Sequence, residues 1–186
     1  AYLVGRRPGF ELGGVGSHFF VKFAVEDLDL ARFDAAWNRL FNRHDMLRAI
    51  VRGDMQQVLP EVPVFASQCH HFEVLAGGEA RALHESLAHT VYDPGCWPVF
   101  GVHVAQDHGN ISHVYISLDN LLLDGMSMQI LFAELKQLYL DPALCLPPLN
   151  IGFRDYLMRA PAAPTRAEAL TYWRARLPSL PPAPAL

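Results

Sequence analysis

Two alternating runs in the middle of the chain restrict its fold more than any other part of the sequence. Residues 99–106 and 111–118 alternate apolar and polar side chains, and the sequence Asp-His-Gly-Asn joins them. A period of two is typical of β-strands, and a short polar connection that contains glycine is typical of a hairpin. Because strand side chains alternate between two faces, Tyr115, Ser117 and Asp119 share the more polar face of the second strand.

Further strands and helices follow one another without a regular order. Residues 17–25 alternate like a strand, residues 46–52 and 56–59 predict a second hairpin across Gly53, and residues 69–74 fit an edge strand. The apolar spacing of a helix is present in residues 30–44, 79–90, 127–140 and 151–159, and in a last segment that begins near Thr165. This mixture predicts an α+β fold.

Composition and charge argue against several kinds of partner. The formal net charge is −4 and no block of basic residues is present, so we expect no nucleic-acid partner. No apolar run reaches the roughly 18–20 residues that a membrane helix needs, so we expect no membrane partner. The cysteines, Cys69, Cys96 and Cys145, form no Cys-x-x-Cys pair, and the histidines show no metal-ligand spacing. We therefore expect no metal site and a reducing, cytoplasmic location.

Two carboxylates lie where the strand at residues 111–118 gives way to the helix at residues 127–140. Asp119 ends the polar strand face, whereas Asp124 follows three leucines, so we expect Asp124 to be buried and to need a cationic partner. Ser127 is placed to cap the helix. A bland alternative stays open, because Asp-Gly is a common turn pair and an aspartate near a helix start is often only a cap.

The same stretch resembles a known motif. Asp124 and Gly125 match the second half of the pattern His-His-x-x-x-Asp-Gly, which marks condensation domains of nonribosomal peptide synthetases, while Asp119 and Asn120 stand where that pattern has its histidines. Heterocyclization domains, a branch of the same family, carry Asp-x-x-x-x-Asp-x-x-Ser, and Asp119, Asp124 and Ser127 match all of its named positions.

Segments on both sides of the motif agree with this resemblance. Residues 1–6 and 43–48 resemble two early motifs of the family, and Tyr172, Trp173 and residues 180–184 resemble two later segments. The chain is therefore similar, over nearly its whole length, to the N-terminal lobe of a heterocyclization domain. It is most similar to domains of siderophore synthetases of the pyochelin and yersiniabactin type.

The resemblance implies a chloramphenicol-acetyltransferase-like lobe with a mixed or antiparallel sheet packed by helices. Residues 1–177 would form this lobe, and the proline-rich residues 178–186 would lead to a C-terminal lobe that this sequence lacks. A tunnel between the lobes would admit the phosphopantetheine arms of upstream and downstream peptidyl or aryl carrier proteins, so no cofactor is expected to bind the lobe directly. The parent chain is expected to contain an adjacent adenylation domain.

The resemblance also implies a reaction. A carrier-bound acyl thioester would be condensed with carrier-bound Cys, Ser or Thr, and the product cyclodehydrated to a thiazoline or oxazoline in siderophore biosynthesis. Asp119, Asp124 and Ser127 form the expected catalytic set, with Asp119 as the candidate for the reaction space. The isolated lobe is expected to be inactive, because half of its tunnel is absent.

Supporting roles follow from the same resemblance. Asn120, Gly125 and Tyr115 are expected to line the substrate tunnel. In the family, the aspartate that matches Asp124 is paired with an arginine of the motif that residues 43–48 resemble, so Arg48 is the first choice as its partner and Arg43 the second. On that reading Asp124 fixes the shape of the loop.

Two other functions remain open. The chain could be a degenerate or scaffolding condensation lobe that docks carrier proteins without ring chemistry. A stand-alone acyltransferase is the weakest alternative, because Asn120 occupies the position of the histidine base and an asparagine side chain cannot take a proton.

Overall fold

The computed structural model describes residues 3–6, 13–72, 77–106, 108–159 and 166–181, and it contains two compact units, Ala1–Pro148 and Leu149–Leu186. The strands are β1 (His18–Glu26), β2 (Ala49–Arg52), β3 (Met55–Val58), β4 (Gln68–His71), β5 (Phe100–Gln106) and β6 (Ile111–Asp119). The helices are α1 (Leu30–Arg43), α2 (Gly78–Ala88), α3 (Gly125–Leu140), α4 (Phe153–Arg159) and α5 (Arg166–Arg176). No helix within these described ranges is both long and apolar enough to cross a membrane.

A mixed sheet forms the centre of the first unit, with the strand order β1-β6-β5-β4. The strands β1, β6 and β5 are antiparallel, and β4 runs parallel to β5. The predicted central hairpin is confirmed as β5 and β6. The predicted edge strand is confirmed as far as His71, and residues 73–74 of that prediction lie outside the described residues. Helices packed on this sheet make the fold α+β, as predicted.

One face of the sheet carries the main core. The carboxylate of Asp29 accepts the backbone N–H of Arg32 at 3.0 Å and so begins α1, in line with the preference of aspartate for this position. The apolar stripe of α1 then buries Trp37 and Phe41 completely against the sheet, together with apolar residues of α3. Burial of side chains of this size stabilises the fold by roughly 2–3 kcal/mol each.

The other face of the sheet is covered by α2. Leu87 of α2 packs with Ala105 of β5 and Tyr115 of β6, and Phe20 and Leu83 border this second cluster. The alternation predicted for β6 is confirmed, since Tyr115 lies on the opposite face from the main core. That face is not open at Tyr115, however, because this residue is buried beneath α2.

The β2–β3 hairpin is shorter than predicted. Gly53 adopts a φ of 60° in its turn, a left-handed conformation that glycine adopts without steric cost. Residues 46–48 were predicted to begin the first strand, but Asp45–Arg48 form a 3-10 helix instead. The guanidinium of Arg48 binds the carbonyl oxygens of Phe41 and Asn42, which keeps this segment folded against the end of α1.

The second unit consists of α4, α5 and the 3-10 helix Leu177–Ser179. Both predicted tail helices are confirmed, although Thr165, the predicted start of the last one, lies outside the described residues. Leu177–Ser179 is helical where an extended segment was predicted to begin, because its proline stands at the start of a turn, a position that proline tolerates. Residues 182–186 lie outside the described residues. The lobe boundary at residue 177 stays a prediction.

Candidate functional site

The motif turn, defined as Asp119–Asp124, connects β6 to α3. Asp119 is fully buried, and its Oδ2 forms an ion pair with the guanidinium of Arg6 in the 3-10 helix Val4–Arg6. The same guanidinium donates to the carbonyl oxygen of Tyr92 at 2.8 Å. Arg6 therefore links the N-terminal helical turn, the end of β6 and the loop before β5.

The second carboxylate oxygen of Asp119 shapes the turn itself. Its Oδ1 accepts the backbone N–H of Leu121 at 2.9 Å, and its carbonyl oxygen accepts the N–H of Leu122 at 3.0 Å. Such bonds from an aspartate to the following backbone stabilise a turn. Asp119, the candidate for the reaction space, is therefore buried with both of its carboxylate oxygens engaged. Membership of Asp119 in the catalytic set stays a prediction.

Two further tethers hold the motif turn. The backbone N–H of Asn120 donates to the carbonyl oxygen of Ser17 at 3.0 Å, and its Nδ2 donates to the Ser17 hydroxyl at 2.8 Å. The side-chain amide of Gln56 in β3 donates to the carbonyl oxygen of Leu121 at 3.1 Å. Arg6, Ser17 and Gln56 thus fix three consecutive residues from three separate segments of the chain.

Asp124 is exposed and begins α3. Its carboxylate accepts the backbone N–H of Ser127 at 2.9 Å. This bond, supported by the Ser127 hydroxyl, holds the pKa of Asp124 below its ordinary value, so the carboxylate is ionised at neutral pH. The prediction that Asp124 is buried is wrong, because the cap residue of α3 faces outward. Ser127 was predicted as the cap, but it is the third residue of the helix, and Gly125 is the first.

The predicted pairing of Asp124 with Arg48 is also wrong. Arg48 is buried, and its guanidinium donates to Asp45 at 2.8 Å and to the carbonyl oxygen of Leu59 at 3.0 Å. Two carbonyl groups at the end of α1 complete its hydrogen bonds. The negative end of a helix dipole attracts a cation, which explains why Arg48 turns toward α1 rather than toward the motif turn.

Arg43 joins α1 to α3 instead of binding Asp124. Its Nε lies 3.2 and 3.0 Å from the two carboxylate oxygens of Glu134, and His44 Nε2 lies 2.7 Å from Glu134 Oε2. Burial raises the pKa of Glu134, but the hydrogen bonds and charges of His44 and Arg43 outweigh it and leave the pKa below its ordinary value. This cluster anchors two helices of the core and contacts no residue of the motif turn among the described residues.

Histidines share the sheet face below α2. His70 Nε2 lies 3.0 Å from His103 Nδ1, so β4 and β5 are joined by an imidazole pair. Burial, with the nearby His70, lowers the pKa of His103 to about 4. Tyr115, predicted to line the tunnel, is buried on the same face; its ring packs beneath α2 rather than against open space.

The side chain of Tyr92, in the loop before β5, lies over Gly101 of that strand. A Cβ atom at this position would lie 2.8 Å from the Tyr92 hydroxyl oxygen, so any other residue here would require the Tyr92 side chain to move. Burial raises the pKa of the Tyr92 hydroxyl, the Ser117 hydroxyl opposes the rise, and the charge of Asp119 adds to it. Within the described ranges, no group of three or more His, Cys, Asp or Glu side chains could hold a metal ion.

Sequence reasoning missed the residues that hold the motif turn. Arg6 lies in the N-terminal segment that resembles a family motif, so a signal for it was present. Nothing in the spacing of Gln56, Ser17 or His103 indicated their roles. The start of α3 presents the ionised carboxylate of Asp124 and the hydroxyl of Ser127. The carboxylate of Asp119 is already bound by Arg6 and by the N–H of Leu121. This arrangement can orient polar groups near α3, whereas a lowered pKa makes Asp124 a weak general base.

Comparisons with known proteins identify relatives over the whole chain. The family model described as a condensation domain matches residues 11–186. The pyochelin synthetase PchE of Pseudomonas aeruginosa is 37% identical over 192 residues, which cover 100% of this chain and 13% of PchE. The phenyloxazoline synthase MbtB of Mycolicibacterium paratuberculosis is 33% identical over 202 residues, which cover 100% of this chain and 17% of MbtB.

A solved structure agrees with these relatives. The cyclization-docking bidomain EpoB from Sorangium cellulosum superimposes with a TM-score of 0.82 at 30% identity, and the match covers 100% of this chain and 39% of the EpoB chain. The chain therefore spans a minor part of the length of each of these relatives.

Proposed function

This chain belongs to the condensation-domain family, and we propose that it is the N-terminal lobe of a heterocyclization domain in a nonribosomal peptide synthetase. The observation that carries the proposal is the motif itself: Asp119 and Asn120 replace the two histidines of plain condensation domains, and Asp119, Asp124 and Ser127 match the pattern of heterocyclization domains. The similarity to a phenyloxazoline synthase and to a cyclization domain supports the same branch.

The proposed reaction has two stages. The amine of a carrier-bound Cys, Ser or Thr attacks the thioester of an upstream acyl group, forms an amide and releases the upstream carrier thiol. The side-chain thiol or hydroxyl then attacks the new amide carbonyl, and loss of one water leaves a thiazoline or oxazoline. A siderophore is the proposed end product, in accord with the similarity to a pyochelin synthetase.

The partners follow from this reaction. Carrier proteins would deliver both substrates on phosphopantetheine arms, and an adenylation domain and a C-terminal lobe would belong to the same parent protein. The three cysteines are free and exposed, which suits the reducing conditions of the cytoplasm.

The geometry of the motif turn divides the roles of its residues. We assign Asp119 to shaping the turn, since both of its carboxylate oxygens are engaged. Asp124 and Ser127, at the exposed start of α3, are the residues of the motif that a substrate could reach. Asn120 and Gly125 keep their proposed place along the tunnel.

One observation favours a second function. Both aspartates of the motif serve the fold in this structure, one in a buried ion pair and one as a helix cap. A lobe whose motif acids are only structural could dock carrier proteins without ring chemistry.

A mass measurement on the complete synthetase separates the two functions. Purified protein is mixed with an acyl-loaded upstream carrier protein and a cysteinyl-loaded downstream carrier protein. The intact mass of the downstream carrier protein is then measured by mass spectrometry. Heterocyclization predicts the acyl adduct minus one water. An adduct that keeps its water would identify plain condensation, and no adduct would favour the scaffolding function. A downstream carrier loaded with alanine is the matched control, because it has no nucleophilic side chain and can only retain its water.

A further inference from the structure

Gln56 is the exposed member of the three tethers that hold the motif turn. It lies in β3, opposite Val51 of β2, and its side-chain amide reaches across to the carbonyl oxygen of Leu121 at 3.1 Å. The other two tethers begin at Arg6 and Ser17, which lie near the end of β6. Gln56 therefore acts on the part of the turn that leads toward α3.

The bond from Gln56 completes the fixation of one backbone segment. The N–H of Leu121 is already held by the Asp119 carboxylate at 2.9 Å, and its carbonyl oxygen is held by Gln56. A residue whose N–H and carbonyl are both bound has little freedom to rotate its flanking peptide planes. The direction in which the chain leaves Leu121 toward Asp124 is thereby set.

The hairpin that carries Gln56 is itself anchored. The N–H of Val51 donates to the carbonyl oxygen of Pro94 at 2.7 Å, and the N–H of Leu59 donates to the carbonyl oxygen of Arg48 at 3.1 Å. The bond from Val51 ties the hairpin to the loop before β5, and the bond from Leu59 extends the ladder between the two strands of the hairpin. A hydrogen bond from such a rigid element positions its partner more precisely than one from a loop.

Apolar side chains surround the tether on one side. The crevice between the hairpin and the turn is lined by Gln56 and Leu121 together with Ile50, Val51, Pro94 and Leu122. These apolar side chains border the tether, while Gln56 itself is exposed. Leu122, the residue that follows the tethered Leu121, is itself buried in the main core.

From these contacts we infer that Gln56 is a positioning residue, which holds the motif turn so that Asp124 and Ser127 present their polar groups at the start of α3. The inference rests on the proposed function for its catalytic consequence. Its structural content, the restraint of Leu121 by a side chain of β3, does not depend on that function.

Four variants of the complete synthetase test this role. Gln56→Ala removes the side chain, Gln56→Glu keeps its size but loses the N–H donor, and Gln56→Lys restores a donor. Gln57→Ala is the matched control, because Gln57 is the same residue type, is exposed in the same strand, and points to the opposite face.

The first readout is turnover. Loss of one positioning hydrogen bond is expected to lower kcat for the carrier-bound product about tenfold in Gln56→Ala and Gln56→Glu, with the KM for the carrier proteins within about twofold of wild type. Gln56→Lys and Gln57→Ala are expected to keep kcat within about twofold. Equal effects of Gln56→Ala and Gln57→Ala would overturn the inference, as would a loss confined to KM or a Gln56→Lys variant as slow as Gln56→Ala.

The second readout is amide hydrogen exchange in the absence of substrate. The N–H groups of Leu121 and Leu122 are expected to exchange about tenfold faster in Gln56→Ala than in wild type, and unchanged in Gln57→Ala. Unchanged exchange in Gln56→Ala overturns the inference whatever the enzyme makes. If wild type forms the amide without losing water, the proposed ring chemistry fails, and the Gln56 comparison is then read on amide formation. If wild type forms neither product, the exchange result alone decides.

Discussion

Replacing Asp119 with asparagine tests whether the first aspartate of the motif is structural. Its side chain is 1% exposed, that of Arg6 is 7% exposed, and the two form an ion pair. Asp119→Asn keeps an oxygen that can accept the N–H of Leu121, so the substitution removes chiefly the charge. The guanidinium of Arg6 is then left buried without a counter-charge.

The expected cost is large. Removing one partner of a buried ion pair typically costs about 3–5 kcal/mol, because the other charge remains desolvated. Arg6→Met should cost a similar amount, since it leaves the Asp119 carboxylate without its cation. The double variant removes both charges, so its cost should fall short of the sum of the single costs by on the order of 2 kcal/mol.

Urea unfolding of the complete domain measures these costs. Tryptophan fluorescence follows the transition, because Trp37 is fully buried in the main core. Asp54→Asn is the control, an identical change at an exposed residue of the β2–β3 turn, and it should alter stability by less than about 0.5 kcal/mol.

Two results would refute this reasoning. A cost of Asp119→Asn no greater than that of Asp54→Asn would mean that the ion pair does not support the fold. Strict additivity of the Arg6 and Asp119 substitutions would mean that the two residues do not interact. An Asp119→Asn variant of wild-type stability that forms no product would instead assign the residue to catalysis.

Two further predictions concern single titrating groups. Asp124→Ala should lower the melting temperature of the complete domain, because α3 loses its cap, whereas Asp124→Asn should not, because asparagine caps equally well. The fold lowers the pKa of Asp124, so the ionised carboxylate contributes stability at pH values above its ordinary pKa, and this stability is lost as the pH falls. Asparagine does not titrate, so Asp124→Asn should lack this loss of stability in acid. His103 has its pKa lowered to about 4, below the ordinary value of 6.5, so stability should fall as pH drops from 6.5 toward 4. His103→Gln should flatten that decline in pH-dependent unfolding while the exposed control His108→Gln should not, and equal slopes in both variants would contradict the assignment.

Local patterns predicted the elements that periodicity and caps decide. The stripe of α1 and the alternation of β5 and β6 depend on residues close in sequence, and the helix and the hairpin formed where predicted. The resemblance to the condensation-domain family, which rested on the order of several motifs, is also confirmed. The start of α3 was misplaced by two residues, because Asp124 and Ser127 can both cap a helix and spacing alone does not choose between them.

Burial within the site could not be read from neighbouring residues. Three leucines before Asp124 suggested a buried carboxylate, yet only the turn direction decides that Asp124 faces outward while Leu122 enters the core. Asp119 is buried because Arg6, 113 positions earlier, folds over it. The predicted partner of Arg48, Asp124, was wrong for a similar reason. The carbonyl oxygens at the end of α1 are the acceptors that the Arg48 guanidinium binds.

The pairing of β1 with β6 sets an order for folding during synthesis. Among the described residues, β1 forms its ladder with β6 alone, and His18 is matched to Asp119 at the far end of that strand. At a translation rate of roughly 5–20 residues per second, β1 therefore leaves the ribosome several seconds before its partner exists. During that interval its apolar side chains and ladder groups lack the partners that β6 supplies. The ion pair between Arg6 and Asp119 can close only after that step, and it marks the completion of the sheet.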